Sequence, residues 1–269
     1  MTNAIDDKFR ELKENGRKAL IAYLTCGFPD MKTTGELACK LAASGADMLE
    51  LGVPFSDPIA DGPVIQYCSN RALEKNVSLK GVLSLAGRLK NRTGIPLLIM
   101  SYFNPIYRYG TEKFFRDCSE NGVCGVVIPD MTIELTSQYR RVSGKNGVHL
   151  INFISSMTDN KRSGRILKES EGFVYVLSVA GVTGMRKSFG KDTGSFIARL
   201  RKRTGKPLAV GFGISKPEQA ARLKKNIDGI IIGSAIMNMV INSLDIPRKK
   251  MYNRLGNFIK SFDKILRTG

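Results

Sequence analysis

The chain has one histidine, His149, and five cysteines, Cys26, Cys39, Cys68, Cys118 and Cys124, with no Cys-x-x-Cys pair. A zinc site built by the protein needs several His and Cys at ligand spacing, so none is expected. Most of the cysteines sit in apolar stretches, where a free thiol behaves as a small hydrophobe. His149 opens the apolar run 149–154 at the amino end of a predicted strand, the wrong end for a Ser-His-Asp triad in an α/β fold. Acid–base work therefore falls to carboxylates. The first is Glu50, in Leu49-Glu50-Leu51-Gly52-Val53-Pro54. Side chains alternate along a strand, so leucines facing an outer helix layer turn Glu50 to the opposite face. A carboxylate there is costly unless paired or used, and desolvation raises its pKa. That suits a group that donates and accepts a proton near neutrality. A structural glutamate bonded to backbone or water fits the same spacing, and spacing alone leaves both readings open.

The next loop, Phe55 to Pro63, carries Asp57 and Asp61 just before a helix pattern that buries Val64, Cys68 and Ala72. Taken alone, Asp61 reads first as the N-cap of that helix. The functional reading makes it a second carboxylate facing Glu50. Asp130, ending the fourth predicted strand, is a third group of the same kind. Three glycine-bearing turns follow late strands: Gly181-Val-Thr-Gly184, Gly211-Phe-Gly213 and Gly233-Ser234. Glycine lets backbone N–H groups approach an anion closely. A helix starting after Gly233-Ser234 adds the positive end of its dipole. Each is a plain turn by itself; three at one face predict a phosphate site.

These residues need a frame that brings strand ends together. Short apolar runs alternate with helix patterns about eight times. The predicted strands are Leu20–Thr25, Met48–Val53, Leu97–Phe103, Gly125–Pro129, Leu150–Ser155, Phe173–Val179, Leu208–Phe212 and Gly229–Ile232. Near-continuous Val, Ile and Leu marks parallel strands buried on both faces. Ser215-Lys-Pro-Glu218 reads as a capping box with Pro just inside a helix start. Thr111 is placed to cap a helix that buries Phe114, Phe115 and Cys118 and stops at Gly122. Met251, Leu255, Phe258, Phe262 and Leu266 recur at helical spacing, and a short helix at about 5–14 precedes the first strand. Eight units with no dividing linker predict an α/β fold: a single (β/α)8 TIM barrel over residues 1–269 with an extra N-terminal helix. No Gly-x-Gly-x-x-Gly follows the first strand, which argues against dinucleotide binding.

At 269 residues and 42% hydrophobic the chain is the size of one such barrel. No apolar run approaches the length of a membrane span, and residues 1–17 have no signal-peptide core, so a cytoplasmic protein is expected. A net charge of +18 attracts polyanions. The clusters Arg199 to Arg203, Lys224-Lys225 and Arg248 to Lys250 fall on separate predicted helices rather than in one stripe. No RNP-like aromatic motif accompanies them, so no specific nucleic-acid partner is expected.

The stretch Glu50-Leu-Gly-Val-Pro-Phe-Ser-Asp-Pro-Ile-Ala-Asp-Gly-Pro63 resembles the signature of the tryptophan synthase alpha chain family. Further matches follow in family order: Tyr102-Phe-Asn-Pro-Ile106, Val127-Ile-Pro-Asp130, Leu177 to Gly184, Gly211-Phe-Gly-Ile-Ser215 and Gly233-Ser-Ala235. The resemblance runs from about residue 8 to the last helix. It implies retro-aldol cleavage of indole-3-glycerol phosphate to indole and glyceraldehyde 3-phosphate, without a cofactor or metal. It implies Glu50 as acid and base, Asp61 as the group that stabilises the positive indole N–H, and Tyr175 beside the glutamate. Thr183, Gly184, Gly213, Gly233 and Ser234 are implied around the phosphate. Tyr23, Met100, Val127, Phe153 and Phe212 are implied around the indole. A pyridoxal-phosphate-bearing beta chain is the implied partner, in an α2β2 tetramer, met by the Pro54–Gly62 loop and the Tyr102–Ile106 segment. The loops Pro54–Gly62 and Thr183–Gly194 are read as mobile lids. Three features depart from the family: Tyr23 stands where phenylalanine is usual, Pro129 replaces a small residue, and the basicity is unusual. Other readings remain at this point: an isomerase or epimerase of sugar phosphates, a freestanding lyase that releases indole, and a basic binding protein without activity.

Overall fold

A computed structural model describes residues 2–177, 191–211 and 213–267. Among them, eight strands form a closed parallel barrel: β1 (Ala19–Thr25), β2 (Met48–Gly52), β3 (Leu97–Met100), β4 (Val123–Val127), β5 (His149–Ser155), β6 (Val174–Leu177), β7 (Leu208–Gly211) and β8 (Gly229–Ile232). Each strand pairs with the next in sequence and β8 returns to β1, Ala19 opposite Gly229. Every residue of β1, β2, β3, β7 and β8 is buried, as the apolar runs require of strands packed on both faces. Closure leaves no unpaired strand edge.

Several predicted boundaries move, each for a local reason. The third strand ends at Met100 rather than Phe103, because Asp130 holds the Phe103 N–H at 2.9 Å and starts the helix Phe103–Tyr109 there. The fourth covers 123–127 rather than 125–129; Pro129 has no N–H to extend the ladder. Thr111 is the first residue of its helix, not its cap; Gly110, at φ +93°, precedes it without a side-chain bond. The cap expected at Ser215 falls on Lys216. The reciprocal group there is Gln219, whose Oε1 accepts from the Ser215 and Lys216 N–H groups at 2.8 and 2.9 Å. The last residues expected in the sixth and seventh strands, 178–179 and Phe212, lie outside the described residues. Positions 191–194, read as part of a loop, begin the helix Lys191–Arg201.

The helix Ala4–Glu14 closes the amino end of the barrel. Asn3 caps it, and the Asn3 amide donates to the Cys124 and Gly147 carbonyls at 2.8 Å each. Ile5 is fully buried and occupies the space that a side chain at Gly125 would need, 2.6 Å from its Cβ position. Phe9 packs on Phe173, ring centres 5.6 Å apart. His149 reaches Asp6 at 2.7 Å and Glu171 at 3.7 Å, so it tethers this end and stays away from the strands' carboxyl ends. At the other terminus, the helix Arg248–Arg267 buries Met251, Leu255, Ile259, Phe262 and Leu266; Phe258 is half-buried against Phe262.

Candidate active site

Glu50 sits in the middle of β2 between two fully buried leucines and is itself 1% exposed. Its charge interacts with Tyr175 of β6, which lies across the barrel from β2, so the interaction runs through the interior and Glu50 points inward. One carboxyl oxygen, Oε2, is buried and has no hydrogen-bond partner. Burial first, and then the charge of Asp61, push the Glu50 pKa up to about 8. The group is therefore a neutral acid at pH 7, with a proton available to whatever enters the barrel.

Asp61 does not cap the helix Pro63–Leu73. Gly62 holds the cap position without a side-chain bond, and the Asp61 backbone carbonyl instead accepts from Gln66 at 2.9 Å. The Asp61 side chain turns toward the barrel, 5% of the residue exposed, where its charge reaches Glu50, Tyr23 and Tyr175. Burial raises its pKa to about 6, against the restraint of the Tyr102 hydroxyl that donates to it. Tyr102 in turn accepts the Ala60 N–H at 3.0 Å and stacks on Phe55 at 5.2 Å. Within the Pro54–Gly62 loop this contact joins the residue before Asp61 to Tyr102. From sequence Tyr102 falls inside the third predicted strand and, by the resemblance, opens the partner-facing segment; neither reading points to its bond with Asp61. Replacing Tyr102 by phenylalanine removes the donor and should raise the Asp61 pKa by about one pH unit, the worth of a hydrogen bond to a charged acceptor. A carboxyl titration followed by NMR measures it; an unmoved midpoint would contradict the contact.

The tyrosines complete the cluster. Tyr23 is the register partner of Glu50 on β1, and its hydroxyl shares a hydrogen bond with Thr25 Oγ1 at 3.2 Å. Tyr175 packs on Phe153 at 4.7 Å between ring centres. Burial pushes both phenols well above their ordinary pKa, so they remain neutral donors. Two glycines make room for these rings. A Cβ on Gly52 would lie 2.2 Å from the Tyr23 hydroxyl, and one on Gly211 2.4 Å from the Tyr175 ring. Met100 and Val127 are buried and aligned in register with Gly52 at the carboxyl ends of β3 and β4.

Gly213 and Gly233 stand at the same end. Gly213 has φ +79°, a left-handed conformation open to glycine. Gly233 precedes the helix Ser234–Ile241, and no side chain caps that helix start. A Cβ on Gly233 would come within 3.1 Å of the Tyr23 ring, so the phosphate candidates adjoin the carboxylate cluster. Thr183, Gly184 and Phe212 lie outside the described residues. Asp130 is spent on starting the Phe103–Tyr109 helix. Asp57 is exposed in the loop. Among the described residues no helix is long and apolar enough to cross a membrane.

The family model for the tryptophan synthase alpha chain matches residues 9–266. The tryptophan synthase alpha chain of Thermoanaerobacter sp. (strain X514) is 38% identical over 264 residues, 98% of this chain and 100% of its own length. That of Geobacter sulfurreducens is 42% identical over 231 residues, 86% of this chain and 88% of its own. The solved tryptophan synthase alpha subunit of Legionella pneumophila superimposes with a TM-score of 0.89 at 32% identity, covering 99% of both chains. With a matching barrel, a carboxylate pair across its mouth and a relation that spans nearly every residue, this chain belongs to the tryptophan synthase alpha chain family.

Proposed function

We propose that this chain cleaves indole-3-glycerol phosphate to indole and glyceraldehyde 3-phosphate, with Glu50 as acid and base and Asp61 as the electrostatic partner of the indole N–H. The observation that carries this reading is the Glu50 carboxyl: buried, protonated at neutral pH and facing Asp61 with one oxygen free. Glu50 gives its proton to the indole carbon that bears the glycerol chain. The ring becomes an indolenine with a positive N–H, which the ionised Asp61 stabilises. The Glu50 carboxylate then takes the proton of the adjacent side-chain hydroxyl. The C–C bond breaks, its electron pair returns to the ring, and indole and the aldehyde form with Glu50 protonated again. The tautomerised indole is the electron sink, so the chemistry needs no cofactor. Tyr23, Met100, Val127, Phe153 and Phe212 line the indole pocket beside Tyr175. Thr183, Gly184, Gly213, Gly233 and Ser234 hold the phosphate. The whole chain works as one barrel domain.

The phosphate assignment has its own test. Glycerol 3-phosphate should inhibit indole release where glycerol at the same concentration does not. Gly213→Asp should abolish that inhibition by placing a negative charge at the anion site. Equal inhibition by both compounds would remove the cradle from the account.

The reading also includes a cytoplasmic α2β2 assembly with a tryptophan synthase beta chain. Large apolar side chains lie exposed on the first segment proposed to meet it and directly after the second: Ile59 at 75% and Tyr107 at 66%. Covering them on docking buries apolar surface and shuts water out of the mouth, which strengthens every charge interaction inside. Adding the beta chain of the same organism should accelerate glyceraldehyde 3-phosphate formation at least ~10-fold, a coupling of about 1.4 kcal/mol. An unchanged rate would favour the freestanding lyase.

A further inference from the structure

A cleft of about 360 Å³ opens on the amino-end face of the barrel, opposite the mouth that holds Glu50; its walls include Phe9, Lys13, Arg17, Lys18, Arg201 and Pro207. These residues come from the N-terminal helix and from the segments leading into β1 and β7. Its charge is unbalanced. Arg201 is engaged: its guanidinium donates to Asp228 at 2.5 Å, to the Lys206 carbonyl at 2.9 Å and to the Thr204 carbonyl. Arg17 is partly engaged, with Asp263 at 2.9 Å and Asp47 at 3.4 Å, while its buried Nε has no acceptor. Neither Lys13 nor Lys18 forms an ion pair among the described residues.

The surrounding field adds to this. The excess positive charge is concentrated in residues 191–267, where Lys and Arg outnumber Asp and Glu 17 to five. The basic clusters do fall on separate helices, but those helices are neighbours. Arg248–Arg267 packs on Pro217–Leu223, and the turn Lys224–Asn226 touches Lys191–Arg201, whose last residue lines the cleft. A concave site on such a flank focuses the field and concentrates anions.

We propose that this cleft binds a small phosphate-bearing metabolite, at a site separate from the catalytic phosphate cradle and independent of the cleavage chemistry. Ligand pockets begin at roughly 300 Å³, so the volume suits a compact phosphate ester. The free donors favour phosphate over carboxylate. A planar carboxylate is best met by an unoccupied guanidinium fork; the Arg201 fork is committed, and Arg17 is held through Nη2 with its unpaired Nε buried. Two ammonium groups are point charges that a tetrahedral phosphate meets from several directions. Phe9 and Pro207 offer an apolar wall for a short carbon skeleton. Because Phe9 and Lys13 belong to the helix Ala4–Glu14, a bound anion ties that helix to the barrel floor and stabilises the fold.

The test uses the full chain, with glycerol 3-phosphate at saturation to fill the catalytic cradle, and inorganic pyrophosphate as the probe. Calorimetry should show one further binding event and melting curves a higher Tm, both weakened by salt. Lys13→Gln/Lys18→Gln should weaken pyrophosphate at least ~10-fold by removing two adjacent charges, with indole release unchanged. Lys18→Gln alone, which leaves the helix untouched, serves if the double variant melts early. Citrate should bind at least ~10-fold more weakly than pyrophosphate, because it lacks the tetrahedral group. Absence of a second event in the wild type, an unaltered affinity in both variants, or citrate binding as tightly would each overturn the proposal.

Discussion

Replacing Glu50 by glutamine is expected to leave the barrel folded and to cut indole release about 10²–10⁴-fold, the usual worth of a general acid–base group. Glutamine keeps the volume and cannot give up or take a proton. Two pH signatures accompany the loss. Turnover of the wild type should fall above pH 8 as Glu50 ionises, and fall below pH 6 as Asp61 takes a proton. The alkaline limb should vanish in the variant. The second signature concerns stability. Unfolded, a glutamate titrates near 4.5; folded, Glu50 titrates at about 8. The folded chain therefore binds the extra proton between those values, and stability falls as pH rises through the window. Glu50→Gln should flatten that slope in urea titrations and be more stable than the wild type at pH 9. A folded variant with near-normal cleavage would dismiss Glu50 from the chemistry.

Asp61→Asn should be nearly as damaging, about 10²–10³-fold in turnover, because it removes the negative charge that meets the developing indolenine in a site from which water is excluded. Glycerol 3-phosphate should still bind, since the phosphate candidates are on other loops. The variant also changes Glu50. With the Asp61 charge gone, one of the two causes that raise the Glu50 pKa disappears, and the alkaline limb should move below 8. A pH–rate profile shows both effects at once; an alkaline limb that stays in place would mean that the two carboxylates do not interact.

Much of this site was legible because its elements obey strong local rules. Glu50 stands out as the one charge in an apolar strand, and strand alternation puts it on the face opposite Leu49 and Leu51, inward once those leucines face the helix layer. The barrel follows from eight buried strand patterns alternating with amphipathic helices. What the sequence concealed depends on contacts distant in the chain. Asp61 has the position of an N-cap, and only the Tyr102 hydroxyl, 41 positions later, shows why it faces the barrel instead. Asp130 looked like a catalytic candidate until its carboxylate was seen to hold the Phe103 N–H. Gly211 read as part of a phosphate-binding turn and Gly52 carried no reading of its own, while both leave space for the Tyr175 and Tyr23 rings. The basic clusters looked scattered because helix adjacency in the outer ring is a property of the closed barrel and not of spacing along the chain.

On the proposed chemistry, the acid in this barrel breaks a carbon–carbon bond to indole. Incubating the purified chain with indole-3-glycerol phosphate and measuring both products tests it most directly. Indole and glyceraldehyde 3-phosphate should appear in equal amounts, with the rate lost in Glu50→Gln. Substrate left intact, or converted to an isomer without free indole, would contradict it.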